Sequence, residues 1–137
     1  MSEPPRRPLP IVADIEAQSF WEGCARGELL LQRCTDCGAY RHPPSPICPD
    51  CLSATHEWVP ASGNATVYSF VVVQHAFNRW FEDQVPYAVA VVELEEGPHM
   101  LSNVVDVLPD QVTIGMKVRV CFDRVSDEVA LPKFQPG

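Results

Sequence analysis

The chain has 137 residues, of which 46% are hydrophobic and 20% are charged, with a formal net charge of −8. These fractions are typical of a globular protein, and the negative charge disfavours nucleic-acid binding, which requires a basic surface. No apolar run reaches the roughly 20 residues that span a bilayer, and the opening MSEPPRRPLPIV lacks the apolar block of a secretory signal. We therefore expect a cytoplasmic protein without a membrane segment.

The first part of the chain predicts an extended arm followed by one helix. Residues 1–13 contain four prolines and little that can be buried, so this arm either moves freely or lies on a partner. Residues 14–27 predict a helix, because Asp14 suits its N-cap and Gly27 suits the position after its last turn. Gly23 weakens the helix interior by about 1 kcal/mol relative to alanine, which indicates close backbone packing there.

Residues 28–60 hold a cysteine motif between two short predicted strands, 28–33 and 55–60. Two C-x-x-C pairs supply four cysteines in the spacing of a two-knuckle zinc site, Cys34, Cys37, Cys48 and Cys51. Gly38, which follows the first pair, suits the positive φ that such knuckles often require, whereas the second pair has Leu52 at that position.

Three explanations compete for these cysteines. Structural disulfides are rare in a reducing compartment, and a redox pair predicts a single reactive C-x-x-C at the start of a helix in a βαβ unit. A metal site is favoured, and four thiolates leave no open coordination position, so the metal is expected to be structural. Zinc is the preferred ion, and iron in the same sulfur cage stays an alternative.

Residues 61–137 predict a small β-barrel. Five runs of strand length are separated by glycine-marked turns, at 65–75, 87–96, 100–107, 117–125 and 129–134. Five short strands suit a closed barrel better than an open sheet with exposed edges, and the OB-fold is the commonest barrel of this kind. The predicted fold class is therefore mainly β, with an N-terminal helix, a four-cysteine zinc ribbon and a C-terminal five-stranded OB-fold barrel.

The connection between the first two barrel strands is rich in aromatic residues. Phe77, Trp80 and Phe81 fall at i, i+3 and i+4, which places them on one face of a short helical turn. Three large aromatic side chains in a loop indicate either a plug over the barrel end or a docking patch for another protein.

Residues for catalysis are not evident in the sequence. Cys24 on the helix and Cys121 inside a strand are typical packing residues, and His75 and His99 have no obvious nucleophile beside them. The sequence contains no G-x-S-x-G, Gly-rich phosphate loop or H-E-x-x-H motif.

The order of these motifs resembles a known family. The segments FWEGCARGELLLQRCTDCG, CPDC, GNATVYSFVVV, VPYAVAVVELEEG and IGMKVRV resemble the acyl-CoA-associated rubredoxin-like zinc-ribbon/OB-fold proteins, long known as domain of unknown function 35. The resemblance runs from about residue 14 to residue 134. It implies a partner of thiolase-like enzymes, which include thiolases, steroid side-chain aldolases and acyltransferases, with the catalytic residues on the partner.

The resemblance also implies residue roles. The four cysteines of the motif become metal ligands, and the loop of Phe77, Trp80 and Phe81 lies toward the thiolase-like subunit. The helix and ribbon would line a path for acyl-CoA. The candidates for binding its phosphates are Arg26, Arg33 and Arg41, because guanidinium groups suit phosphate. Hydratase activity, which some members carry in a fused domain, would come from a separate subunit.

The leading hypothesis is thus a non-catalytic accessory subunit that stabilises a thiolase-like enzyme and helps to form its acyl-CoA channel. Zinc ribbons and OB barrels also bind nucleic acids, so a nucleic-acid-binding module is one alternative, disfavoured by the charge. An independent acyl-CoA enzyme that uses Cys24 or His75 is the other.

Overall fold

A computed structural model describes residues 3–137, so the first two residues of the predicted arm lie outside the described part of the chain. One α-helix precedes eight strands: α1 (Gln18–Ala25), β1 (Leu30–Cys34), β2 (Tyr40–Arg41), β3 (His56–Pro60), β4 (Asn64–Val73), β5 (Tyr87–Leu94), β6 (His99–Val104), β7 (Lys117–Arg124) and β8 (Ala130–Pro136). Short 3-10 turns lie at Arg79–Asp83 and Pro109–Gln111. Among residues 3–137, none of the helices has the length and apolar character to cross a membrane.

The helix is shorter than the sequence predicts. It begins at Gln18, and the residue at its N-cap, Ala17, makes no side-chain capping bond. The predicted N-cap, Asp14, belongs to an earlier turn, where its side chain accepts a hydrogen bond from the Glu16 backbone N–H at 3.2 Å and its carbonyl accepts one from Ala17 at 3.0 Å. The predicted start at Asp14 is therefore wrong by one turn, because the aspartate satisfies local backbone groups outside the helix.

The glycine inside the helix is explained by the strand that follows it. A Cβ atom at Gly23 would lie 2.7 Å from Cγ of Leu30 and 2.8 Å from its Cδ1, closer than carbon atoms approach in packed structures. The helix and β1 therefore come together at a position where only glycine fits. Gly27 has φ +80° and ends the helix as predicted, with its N–H donating to the Cys24 carbonyl at 3.0 Å.

The first sheet is a three-stranded antiparallel ribbon in the order β2-β1-β3. Gln32 at the centre of β1 lies opposite Arg41 on one side and Trp58 on the other, and Cys34 lies opposite His56. Because side chains alternate across a strand, Gln32 and Cys34 share one face of the ribbon and Arg33 lies on the opposite face.

The remaining strands close into a barrel in the order β4-β5-β6-β8-β7, and the predicted mainly β fold with a closed five-strand, OB-like barrel is confirmed. All neighbours are antiparallel except β6 and β8, which pair in parallel at Val104 and Phe134. A bulge at Tyr68 in β4 increases the local bend of the strand.

A single hydrophobic core joins the three regions. Phe134, Leu94 and Val92 fill the barrel, with 0%, 2% and 0% of their surfaces exposed. Phe20 from α1 and Leu31 from β1 belong to the same cluster. The ribbon is therefore anchored to the barrel through β1, and the buried cysteines of its knuckles, Cys34 and Cys48, are not part of that core cluster.

Candidate metal centre

The four cysteines of the motif converge on one point. Their sulfur atoms all lie within 4.8 Å of one another, with Cys34 Sγ and Cys51 Sγ 3.5 Å apart and Cys37 Sγ and Cys48 Sγ 3.7 Å apart. A tetrahedral zinc ion with Zn–S bonds of about 2.3 Å places its sulfur ligands about 3.8 Å apart. The donor set and its spacing thus fit one tetrahedral thiophilic metal ion.

The two knuckles have the same backbone structure. In the first, the Gly38 N–H donates to the Cys34 carbonyl at 2.9 Å and the Cys34 N–H donates to the Ala39 carbonyl at 2.9 Å. In the second knuckle, the Leu52 N–H donates in the same way to the Cys48 carbonyl at 2.8 Å. Gly38 has φ +79°, as predicted, and Leu52 occupies the equivalent position with φ +65°. The second knuckle therefore holds a non-glycine residue in the left-handed region, where a side chain is strained.

Backbone dipoles favour the thiolate form at one ligand position. The Cys37 backbone N–H donates to Cys34 Sγ at 3.5 Å, and this bond, with a second from the Asp36 backbone, lowers the pKa of the Cys34 thiol to about 6. Cys34 and Cys48 are buried, whereas Cys37 and Cys51 are exposed on the outer side of the cluster. Since a metal binds the thiolate, these N–H groups prepare the site for it.

Two histidines lie near the knuckles and neither joins the four sulfurs. His56 is opposite Cys34 in the ribbon, and its Nε2 lies 3.3 Å from Nε2 of Gln32. The His42 ring packs against Phe20 with centroids 5.2 Å apart, and burial lowers the pKa of His42 to about 4. Both histidines are held by the fold itself, in agreement with the preference for cysteine ligands.

The three arginines proposed for CoA phosphates occupy three different environments. Arg26 is exposed and pairs with Glu28 at 3.4 Å. Arg33 is exposed, and its guanidinium lies 5.4 Å from the Tyr40 ring centroid. Arg41 is only 6% exposed and lies on the opposite face of the ribbon from Arg33. The fold does not gather these three side chains into one phosphate site.

The aromatic loop presents one side chain to solvent and holds the others against the protein. Phe77 is 93% exposed, with its ring 4.7 Å from that of His75, so Phe77 does not plug the barrel. Trp80 and Phe81 are half-buried and pack edge to face at 5.0 Å, and Phe81 continues to Tyr87 at 5.5 Å. The 3-10 turn covers Arg79–Asp83, so Trp80 and Phe81 lie in it and Phe77 precedes it; the predicted helical turn with all three aromatic residues on one face is therefore wrong for Phe77.

The N-terminal arm lies on the barrel of its own chain. The Arg7 guanidinium donates to the Asp123 carboxylate at 2.6 Å and lies over the Trp80 ring, 4.6 Å from its centroid. Lys133 donates to the same carboxylate at 2.8 Å. The sequence alone leaves the position of the arm open, since nothing local in the proline-rich segment points to a carboxylate 116 residues away.

An exposed apolar surface on the barrel was missed by the sequence analysis. On the outer side of β4, β5 and β6, Val71 lies opposite Val89, and Val91 lies opposite Leu101. Val71 is 60% exposed and Leu101 is 72% exposed. We call Val71, Val89, Val91 and Leu101 the outer face. The sequence of β5, YAVAVVEL, indicates this surface, because it lacks the polar alternation of a strand that faces water on one side.

A cleft of about 380 Å³ adjoins the outer face, between α1, the prolines after β2, and strands β6 and β8. Its walls are mainly apolar and include Phe20, Trp21, Pro43 and Leu101. Pockets of this kind, at the junction of two structural units, are common positions for small-molecule binding.

The two remaining thiols are poor nucleophiles in this fold. Cys24 is fully buried in the core, and burial raises the pKa of its thiol to about 12. The pKa of Cys121 is also raised, chiefly by burial. Because the thiolate is the reactive form, this environment disfavours the alternative of an independent enzyme that uses Cys24.

Comparison with known proteins gives consistent matches along the chain. The family described as "ChsH2, rubredoxin-like zinc ribbon domain" matches residues 21–57, and "ChsH2, C-terminal OB-fold domain" matches residues 58–123. The solved structure "Ltp2-ChsH2(DUF35) aldolase" superimposes with a TM-score of 0.83 at 38% identity, over 95% of this chain and 98% of that chain.

Two curated relatives extend these matches. A "Probable enoyl-CoA hydratase alpha subunit" of Thermomonospora curvata is 40% identical over 132 residues, which are 96% of this chain and 40% of that protein. This chain therefore spans less than half the length of that relative. A "DUF35 domain-containing scaffold protein" of Methanocaldococcus jannaschii is 40% identical over 101 residues, which cover 73% of this chain and 71% of the scaffold protein. With both domains matched in order, the chain belongs to the DUF35 family of zinc-ribbon and OB-fold proteins.

Proposed function

We propose that this protein is a non-catalytic, cytoplasmic accessory subunit of a thiolase-like enzyme that acts on CoA thioesters. The observation that carries the proposal is the likeness to nearly the whole of one chain in the Ltp2-ChsH2(DUF35) aldolase. The subunit stabilises the enzyme and contributes a wall of its acyl-CoA channel. Hydratase activity, suggested by the name of the Thermomonospora curvata relative, would come from a separate subunit.

The metal in this proposal is zinc, bound by Cys34, Cys37, Cys48 and Cys51. Four thiolates complete its coordination sphere, so the ion holds the two knuckles together and leaves no position for substrate or water. Iron in the same cage is the alternative, and metal analysis of the purified protein distinguishes the two.

The surface proposed for the enzyme subunit combines Phe77, Trp80 and Phe81 with the outer face. An exposed phenylalanine beside an apolar sheet surface is typical of a protein-protein contact. Acidic residues lie beyond the two ends of this surface: Glu82, Asp83, Asp106 and Asp110 at one end, and Glu93 and Glu95 at the other. We therefore expect the enzyme surface that meets it to be apolar with a basic margin.

The acyl-CoA path in this proposal follows the cleft beside α1. The apolar walls suit the acyl or pantetheine part of a thioester. The exposed Arg26 and Arg33 are separate candidates for its phosphates, and both lie outside the lining of the cleft. Arg41 is less suited to this role because its side chain is buried.

The test is a tagged pull-down from the native host, followed by reconstitution from purified subunits. We expect a thiolase-like subunit at near-equal stoichiometry, and loss of its activity when this protein is removed. Full activity of that enzyme without this protein would contradict the accessory role.

The contact surface is tested separately with charge substitutions. Val71→Glu and Leu101→Glu place a carboxylate in the outer face, and each should weaken binding to the purified enzyme subunit by at least tenfold, because a buried unpaired charge is costly. Ile114→Glu is the matched control, since Ile114 is 70% exposed and lies in the connection between β6 and β7, outside this face. Equal binding by all three variants would place the contact elsewhere on the protein.

A further inference from the structure

A network of buried polar side chains lies on the ribbon face that carries Cys34. Gln32 is 1% exposed, and its Oε1 accepts a hydrogen bond from the Ser45 backbone N–H at 2.8 Å. Arg41, directly opposite Gln32, donates twice to the Ser45 carbonyl, from Nε at 3.2 Å and from Nη2 at 2.8 Å. Both polar groups of the Ser45 backbone are therefore held by buried side chains, three residues before Cys48.

The charge of Arg41 has no carboxylate partner within residues 3–137, where none of the ion pairs includes it. Its third guanidinium nitrogen, Nη1, is buried and makes no hydrogen bond to any described residue. Taking an arginine out of water is costly unless an opposite charge compensates it. A cation that is 94% buried (6% exposed) without an acidic neighbour thus requires another source of negative charge.

The four cysteines, with a metal ion bound, would carry such a charge. Four thiolates and one divalent ion carry a net charge of −4 + 2 = −2, because each cysteine ligand is deprotonated. Cys34 follows Gln32 by two positions in β1 and shares its face, so Arg41 and Cys34 are diagonal neighbours across the β1–β2 pair. Residues in this relation have Cα atoms about 7–8 Å apart, so the buried Arg41 side chain and the Cys34 ligand belong to the same face of the ribbon.

We propose that Arg41 is the counter-charge of the tetrathiolate centre and the residue that positions the second knuckle. Its cation offsets the net negative charge of the metal site, and its two bonds to Ser45 fix the segment that leads to Cys48. The buried position that makes Arg41 unsuited to an external phosphate is required for this role. The inference rests on the proposed metal centre and is independent of the enzyme partner.

The experiment compares three variants of the purified full chain: Arg41→Met, Arg41→Lys and, as a control, Arg119→Met. Arg119 is an exposed arginine on β7 of the barrel, whereas Arg33 is unsuitable because its Nε donates to the Gly38 carbonyl of the first knuckle at 3.3 Å. Zinc affinity is measured by competition with a chromophoric chelator, and the sulfur-to-metal absorption of the cobalt-loaded protein reports whether all four thiolates still bind. Neither readout depends on enzyme activity.

We expect Arg41→Met to lower zinc affinity by about 10- to 100-fold, the usual effect of losing a group that supports metal ligands. Arg119→Met should leave the affinity unchanged, and Arg41→Lys should retain most of it because the cation remains. Equal zinc affinity in Arg41→Met and Arg119→Met would overturn the proposal. If Arg41→Met does not fold, Arg41→Lys decides, because lysine keeps the positive charge. A zinc affinity of Arg41→Lys as low as that of an unfolded ribbon would show that the charge of Arg41 does not support the site, and would overturn the proposal.

Discussion

The ribbon and the barrel are stabilised in different ways. Between residues 35 and 60, the buried side chains are Arg41 and Cys48, a charged group and a proposed metal ligand. The barrel instead buries apolar side chains such as Phe134 and Val92, both 0% exposed. A segment that buries so little apolar surface cannot offset the entropy of ordering its backbone, so we expect the knuckles to depend on a bound metal and on polar bonds.

The largest expected effect is the selective unfolding of the ribbon on metal removal. A structural zinc site contributes on the order of 10 kcal/mol, more than the few apolar contacts of the knuckles provide. Amide hydrogen exchange before and after chelation should show loss of protection from about residue 34 to residue 58, while β4–β8 stay protected. Protection of the knuckles that survives complete metal removal would show that the ribbon does not need the ion.

The second prediction tests the barrel with two phenylalanines of opposite environment. Phe134→Ala removes a fully buried ring and should lower the free energy of unfolding by about 3–5 kcal/mol. Phe77→Ala, at a side chain 93% exposed, should change it by less than about 0.5 kcal/mol. Urea unfolding of both variants gives the comparison. A large loss from Phe77→Ala would mean that the aromatic loop supports the fold and is not free to bind a partner.

The difference between the two regions also explains what the sequence could predict. The cysteine spacing, Gly38 and the five barrel strands are local patterns, and the structure places all of them as expected. The burial of Arg41 and the contact of Arg7 with Asp123 join residues through tertiary packing, which no local pattern encodes. The helix start was wrong for a related reason, because Asp14 can cap a turn as readily as a helix.

The third prediction concerns the junction that joins the two regions. Gly23→Ala adds a carbon 2.7 Å from Leu30 Cγ, so it should destabilise the protein by about 1–3 kcal/mol despite the better helix propensity of alanine. The double variant Gly23→Ala/Leu30→Ala removes the two contacts with the Leu30 side chain and leaves the one at 3.0 Å to the Glu28 carbonyl oxygen. In thermal unfolding, Gly23→Ala should therefore be less harmful in the Leu30→Ala background. Additive effects of the two changes would mean that the glycine is not required by this contact.

The smallest expected effect is at the contact between the arm and the barrel. Hydrogen bonds from Lys133 and Arg7 lower the pKa of Asp123 in the folded protein. The ionised carboxylate therefore stabilises the fold above its unfolded pKa of about 3.9, and this contribution is lost as the pH falls through the lower folded value. Since Asp123 is about one-third exposed, at 34%, the contribution at neutral pH should be only about 0.2–1 kcal/mol.

Asp123→Asn measures this contribution directly. Urea unfolding is measured on metal-free protein and monitored through the amide signals of the barrel. The variant should be less stable than the parent at pH 7, and the difference in unfolding free energy should shrink below about pH 4. Asp127→Asn, in the exposed turn between β7 and β8, is the control. A difference that persists unchanged into acid would assign the effect to packing of the side chain. Release of Arg7 from the Trp80 ring, seen as a change in tryptophan fluorescence in Asp123→Asn alone, would show that the carboxylate holds the arm on the barrel.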